Sequence, residues 1–132
     1  MAPLSRRAVV LIGVVLGLGL WLIPSTFLGH REPWDGNGPW YALVLALAGL
    51  LLGFLGAGHP FAAVVGMFLG QVVVLLTRVV SNPATSELWL VGVVLLAGYT
   101  FVATGIGALL GAQLRHWISP VPRGEDRRGT TV

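Results

Sequence analysis

The chain reads as all-α, an integral membrane four-helix bundle with both termini cytoplasmic, and three observations predict it. First, four apolar stretches at 8–29, 38–58, 60–77 and 88–113 hold none of its eight arginines or five acidic residues. Second, 55% of residues are hydrophobic and 10% charged, with a mean hydropathy of +0.85, far from an average soluble domain. Third, six of the eight arginines cluster at the two ends of the chain.

Helix 1 is expected over 8–29. A bilayer core about 30 Å thick needs about 20 apolar residues at about 1.5 Å each. Met1–Arg7 has the look of a signal-peptide start, but the apolar run continues to Leu28 and no A-x-A-like site follows. A retained helix is therefore expected, with Pro24 kinking or ending its regular turns. Asp35-Gly36-Asn37-Gly38-Pro39 is turn chemistry, with Pro39 suited to open helix 2.

Helix 2, 38–58, contains Ala42–Leu52 (ALVLALAGLLL), apolar on every side. A β-barrel strand would alternate, and a soluble amphipathic helix would show a polar stripe. Neither pattern is present. In the short link Gly56–Pro60, Gly58 can cap helix 2 and Pro60 can open helix 3, which predicts that helices 2 and 3 form an adjacent antiparallel hairpin.

Helix 3 runs over 60–80, with Arg78 snorkelling to the interface. Thr85 or Ser86 can cap helix 4, with Glu87 at its positive end. Helix 4 occupies 88–113. Residues 1–118 thus form one transmembrane domain. Residues 119–132, proline-containing and without apolar periodicity, read as a disordered cytoplasmic tail.

Arginine placement sets orientation. Arg6 and Arg7 precede helix 1, and Arg115, Arg123, Arg127 and Arg128 follow helix 4, so the positive-inside rule puts both termini in the cytoplasm. An even number of spans agrees. Trp21, Trp34, Trp40, Tyr41 and Trp89 fall near outer span ends and Trp117 near an inner one, as an aromatic belt would. All basic residues are arginine in a Gly-, Ala-, Leu- and Val-rich chain, which suggests a bacterium with GC-rich codons and hence its inner membrane. The absence of cysteine excludes disulfides, thiolate metal sites and S-palmitoylation.

Three small-xxx-small pairs, Gly49/Gly53, Gly66/Gly70 and Gly107/Gly111, let backbones approach closely. They serve either packing within the bundle or a homo-oligomer interface. A partial repeat at an offset of 49 matches Trp40, Gly49 and Gly56 with Trp89, Gly98 and Gly105; a duplicated hairpin or chance in Gly-rich sequence would give it.

The embedded polar candidates are Gln71, Tyr99, Thr100 and Thr104. Gln71 is the costliest to leave in lipid and needs a partner. Thr100 and Thr104 share a face in an α-helix. Together the four line a small polar cavity, or they form interhelical hydrogen bonds with no ligand. The outer segment His30–Asp35 is the densest polar cluster and serves as a solvated turn with an aromatic anchor, as a site for a periplasmic partner, or as a cation site through Glu32 and Asp35. His30, His59 and His116 lie at span ends, which disfavours haem.

Two families of small four-helix membrane proteins do not fit. Small multidrug transporters depend on a glutamate in the first helix, and residues 8–29 contain no acid. Small fluoride channels use embedded asparagines, whereas Asn37 and Asn82 lie in loops.

No nucleophile–base pair, metal set or phosphate loop is present, so an enzyme, a cofactor and a nucleic-acid partner are not expected. The sequence points to a non-enzymatic accessory or scaffold subunit that contacts the lipid bilayer, with a homo-oligomer or a larger membrane protein as partner. A small channel or transporter for an uncharged or weakly polar solute is the alternative. Proton coupling is disfavoured by the lack of intramembrane acids.

Overall fold

A computed structural model describes residues 3–27, 34–56, 58–82 and 89–118, with the backbone alone at 24–27 and 34–38. The described chain is all-helical. Helix α1 spans Arg6–Phe27, α2 Trp34–Leu55 and α3 Pro60–Ser81. The fourth helix, Trp89–Ile118, consists of α4 (Trp89–Tyr99), a π-helical turn (Thr100–Thr104) and α5 (Gly105–Ile118). Three helices are long and apolar enough to cross a membrane: Arg6–Ile23 within α1, α3 and the fourth helix. The apolar part of α2, Pro39–Leu55, is shorter.

Local sequence sets most of the boundaries. Ser5 caps α1, its Oγ accepting the Ala8 N–H at 3.3 Å. Pro60 opens α3 behind His59, where its missing N–H leaves no bond unmade. Gly58 takes the link in the left-handed region at φ 107°, a conformation open to glycine without a steric penalty. As expected, α3 runs on through Arg78 to Ser81.

Two boundaries differ from expectation. Helix α1 continues through Pro24 to Phe27. Helix α2 begins at Trp34, so Pro39 lies inside it and Asp35–Gly38 are helical rather than a turn. Each proline fixes φ near the helical value but forfeits one i→i−4 hydrogen bond and crowds the carbonyl four residues back, Pro24 in the last turn of α1 and Pro39 in the second turn of α2.

Packing corrects the predicted pairing. The main partner of α3 is α1, and that of α2 is the fourth helix; α2 and α3 touch only lightly. Gly13 and Gly17 of α1 meet Gly66, Met67 and Gly70 of α3. Gly49 and Gly53 of α2 meet Thr104 and Ala108, while Gly107 and Gly111 meet Ala46, Leu50 and Phe54. Contacts advance in the same direction along both partners, so each pair is parallel. The physical reason is closeness of approach: a methyl on Gly13 would lie 3.0 Å from the Gly66 Cα, and one on Gly49 2.9 Å from the Thr104 Cα. Glycines facing backbone on both sides outweigh the pull of a short connection, which only has to bring α2 and α3 ends together.

The offset of 49 does not match packing roles at its glycines. Gly98, matched to Gly49 by the offset of 49, is exposed with open space around it, whereas Gly49 is buried against Thr104. The glycines in equivalent packing roles are Gly13/Gly17 with Gly66/Gly70 and Gly49/Gly53 with Gly107/Gly111.

The bundle has two distinguishable ends. One gathers the start of α1, the end of α2, the start of α3 and the end of α5: the Leu4 N–H donates to the Leu55 carbonyl at 2.9 Å, and Arg115 Nη1 donates to the Phe54 and Leu55 carbonyls at 2.9 and 3.1 Å. Arg6, Arg7 and Arg115 therefore share this end. Arg115 also caps α2, satisfying carbonyls that a helix terminus leaves orphaned. Arg123, Arg127, Arg128 and the rest of 119–132 lie outside the described residues, as do 30–33 and the proposed caps Thr85, Ser86 and Glu87.

Candidate functional site

Between two apolar clusters sits one polar node. Val9, Leu45, Leu52, Ala63, Met67 and Ala108 belong to the first cluster, and Trp21, Val74, Leu75 and Leu96 form the second. Gln71 lies on α3 one turn from each, with no solvent exposure. Its Nε2 donates to the Met67 carbonyl at 3.2 Å and to Thr100 Oγ1 at 3.1 Å, and its Oε1 accepts from the Tyr41 hydroxyl. Thr100 Oγ1 also lies 3.4 Å from Oε1.

The orientation of the amide follows from one partner. The Met67 carbonyl only accepts, so the group facing it must be the NH2, which turns Oε1 toward Tyr41 and makes the phenol the donor. Both amide donors and the carbonyl of Gln71 are thereby occupied within the protein, the condition a buried amide must meet.

Tyr41 was expected in an interfacial belt, as was Trp21. Both are buried, at 5% and 1% exposure, and the Trp21 indole lies against the Tyr41 phenol. The Arg78 guanidinium sits over the Trp21 ring, 5.1 Å from its centroid. Trp40 and Trp117 are exposed. The depth of Tyr41 becomes legible only with α2 beginning at Trp34 rather than at 38. Measured from their outer helix ends at about 1.5 Å per residue, Tyr41 is about 10 Å deep and Gln71 about 15 Å, a gap that a phenol side chain spans. Tyr99, the fourth predicted member, stands beside the node rather than in it: its ring packs edge-on against Tyr41 with centroids 5.8 Å apart.

Thr104 does not join. It is fully buried, yet its Oγ1 has no hydrogen-bond partner among the described residues. Thr100 and Thr104 do not act together: Thr100 Oγ1 bonds Gln71 on α3, whereas the Thr104 backbone lies against Gly49 of α2, and the helix between them is π. In an unbroken α-helix Thr100 and Gly107, seven residues apart, would lie within about 20° of one face. Here Thr100 reaches Gln71 on α3, while Gly107 reaches Ala46 and Leu50 on α2. The extra residue of the π-turn turns the two halves of the helix toward different neighbours.

Chemically, the arrangement holds helices together and supplies no reactive pair. The node joins α2, α3 and the fourth helix through neutral groups. Among the described residues no group of three or more His, Asp or Glu converges to hold a metal ion. His59 and His116 are exposed. Comparison with protein-family models, curated proteins and solved structures finds no match.

Proposed function

We propose that this chain is a small, non-enzymatic subunit of a bacterial inner membrane: a four-span block, termini in the cytoplasm, that packs beside a larger membrane protein as an accessory or scaffold. The observation that carries this reading is the self-contained node. Gln71, the most polar of the fully buried side chains, is saturated by Tyr41, the Met67 carbonyl and Thr100. A solute path needs such groups facing a hydrated route instead. Long exposed rows such as Leu11, Val15 and Leu22 on α1 and Val91, Val94 and Val102 on the fourth helix suit lipid or an apolar partner.

The gathering of Arg6, Arg7 and Arg115 at one end agrees with a cytoplasmic end. Single cysteines at Ser5 and Asn82, probed in intact cells with a membrane-impermeant maleimide, test the orientation. Asn82 is expected to label and Ser5 to stay dark; the reverse overturns it. For the role itself, extraction from native membranes followed by native mass spectrometry is expected to give a second membrane protein at fixed stoichiometry. Recovery of this chain alone, as a defined oligomer, contradicts the accessory role.

The alternative, a small channel or transporter for an uncharged or weakly polar solute, is favoured by the Thr104 hydroxyl, unpartnered among the described residues at the end of the π-turn. Stopped-flow light scattering on proteoliposomes with glycerol or urea distinguishes it: faster swelling than in empty liposomes supports the channel, and equal rates remove it.

A further inference from the structure

The fourth helix is anchored at two places that an α-helix cannot satisfy together. Its α5 half is locked to α2: Gly107 and Gly111 lie against Ala46, Leu50 and Phe54, Ala108 lies under Gly53, and Arg115 binds the carbonyls at the α2 terminus. Its α4 half is tied to α3 through Thr100 and Gln71. In continuous α register Thr100 would swing to the Gly107 face and lose Gln71. The π-turn at Thr100–Thr104 reconciles the anchors, and it leaves Thr104 Oγ1 buried without a partner. Such single π-turns are rare insertions within α-helices.

The anchors differ in strength. The α5 contacts are backbone-to-backbone along several turns, whereas the α4 tie rests on one side-chain hydrogen bond, ring contacts and the burial of Leu96 against Trp21, Val74 and Leu75. The rest of α4 has little to hold it in rotation. Val91, Val94 and Gly98 are exposed, and among its described residues Leu96 alone is buried.

We propose that the Gln71–Thr100 hydrogen bond holds the fourth helix in its π-turn, so that breaking it lets the turn anneal to α and rotates the α4 half by about 100° against α5, one residue's worth of helical turn. The helix is a twist joint between the two ends of the bundle, with Gln71 as its catch. A two-state element of this kind converts a local loss of one bond into motion of a whole half-helix.

The chain contains no cysteine, so paired spin labels on the full-length protein in lipid nanodiscs report the motion directly. Exposed Val15 on α1 and Leu51 on α2 serve as references, with a label at Val94 above the turn or at Leu110 below it. For a helix of about 5–6 Å radius, a 100° rotation displaces a side chain by about 8 Å.

Thr100→Val is expected to move the Val94 distances from at least one reference and leave both Leu110 distances unchanged. Gln71→Leu breaks the same bond from the other side and must give the same shift. Deleting Val102, an exposed residue of the turn, removes the extra residue while keeping both anchors on their own neighbours. The deletion is therefore expected to retain the original Val94 distances, even when combined with Thr100→Val. If Val94 does not move in either substitution, or moves in the deletion, the catch is disproved. This readout is independent of whether the protein is a scaffold or a channel.

Discussion

The α1–α3 pair and the pair between α2 and the fourth helix use the same device and end differently. Both are parallel, and both place two glycines of one helix against two small residues of the other. Yet α1 and α3 are regular throughout, while the fourth helix breaks into a π-turn at Thr100. The difference lies in who else makes a claim. Gln71 sits on the back of the first pair and reaches out to Thr100 in the second. Glycine packing alone is compatible with regular α-helix; glycine packing plus a buried amide needing partners on a third helix is not. A single polar side chain has thus altered the geometry of a helix to which it does not belong.

The comparison can be broken at several points. The largest effect is expected where glycine meets backbone. Gly70→Val, which drives a branched side chain into the Val14 carbonyl and the Leu18 N–H, and Gly107→Val, against Ala46 and Leu50, should each cost about 1–3 kcal/mol or prevent assembly outright. Unfolding by sodium dodecyl sulfate in mixed micelles measures both. Equal losses support equivalent roles for the two pairs; a tolerant Gly70 would make the first pair incidental.

Gln71→Leu comes next. It leaves the Tyr41 and Thr100 hydroxyls buried without their shared partner, for a loss of about 1–2 kcal/mol in the same assay. Arg115→Met keeps the stem and removes the donors to the Phe54 and Leu55 carbonyls. Because this end is part-exposed, the expected loss is about 1 kcal/mol, and faster amide exchange in the last turn of α2 would accompany it.

Two changes should help rather than hurt. Thr104→Val replaces an unpartnered buried hydroxyl with a methyl of similar shape and is expected to be neutral or stabilising by about 1 kcal/mol. A clear loss of stability would mean that the hydroxyl has a partner. Gly98→Ala, in open space on an exposed face, is expected to gain about 0.5–1 kcal/mol through helix propensity.

The sequence was informative about elements and poor on partners. Apolar runs uninterrupted by charge define helices in any packing arrangement, so all four were legible, and Pro60 marked its own helix start. Pairing was not, because adjacency along the chain favoured α2 with α3 while the deciding contacts are backbone approaches that glycine spacing only permits. Gly13/Gly17 was readable from the same pattern as the other pairs; its location on the outgoing first helix gave no reason to match it with Gly66/Gly70 until both were seen in register. Gln71 and Thr100 were legible as a buried polar pair. Tyr41 was not, because a tyrosine near a span end reads as interfacial until its depth is counted against that of Gln71. The π-turn has no local signature in Thr-Phe-Val-Ala-Thr, since it arises from anchors on two other helices.

The pairing is the central claim, and solid-state NMR on the protein in lipid bilayers tests it most directly. With glycine, alanine and threonine Cα carbons labelled, the pairing predicts long-range correlations between Gly13 and Gly66, Gly49 and Thr104, and Gly53 and Ala108. Absence of these peaks, together with correlations from Gly49 and Gly53 to the alanines and glycines of α3, would contradict it and restore the α2–α3 hairpin.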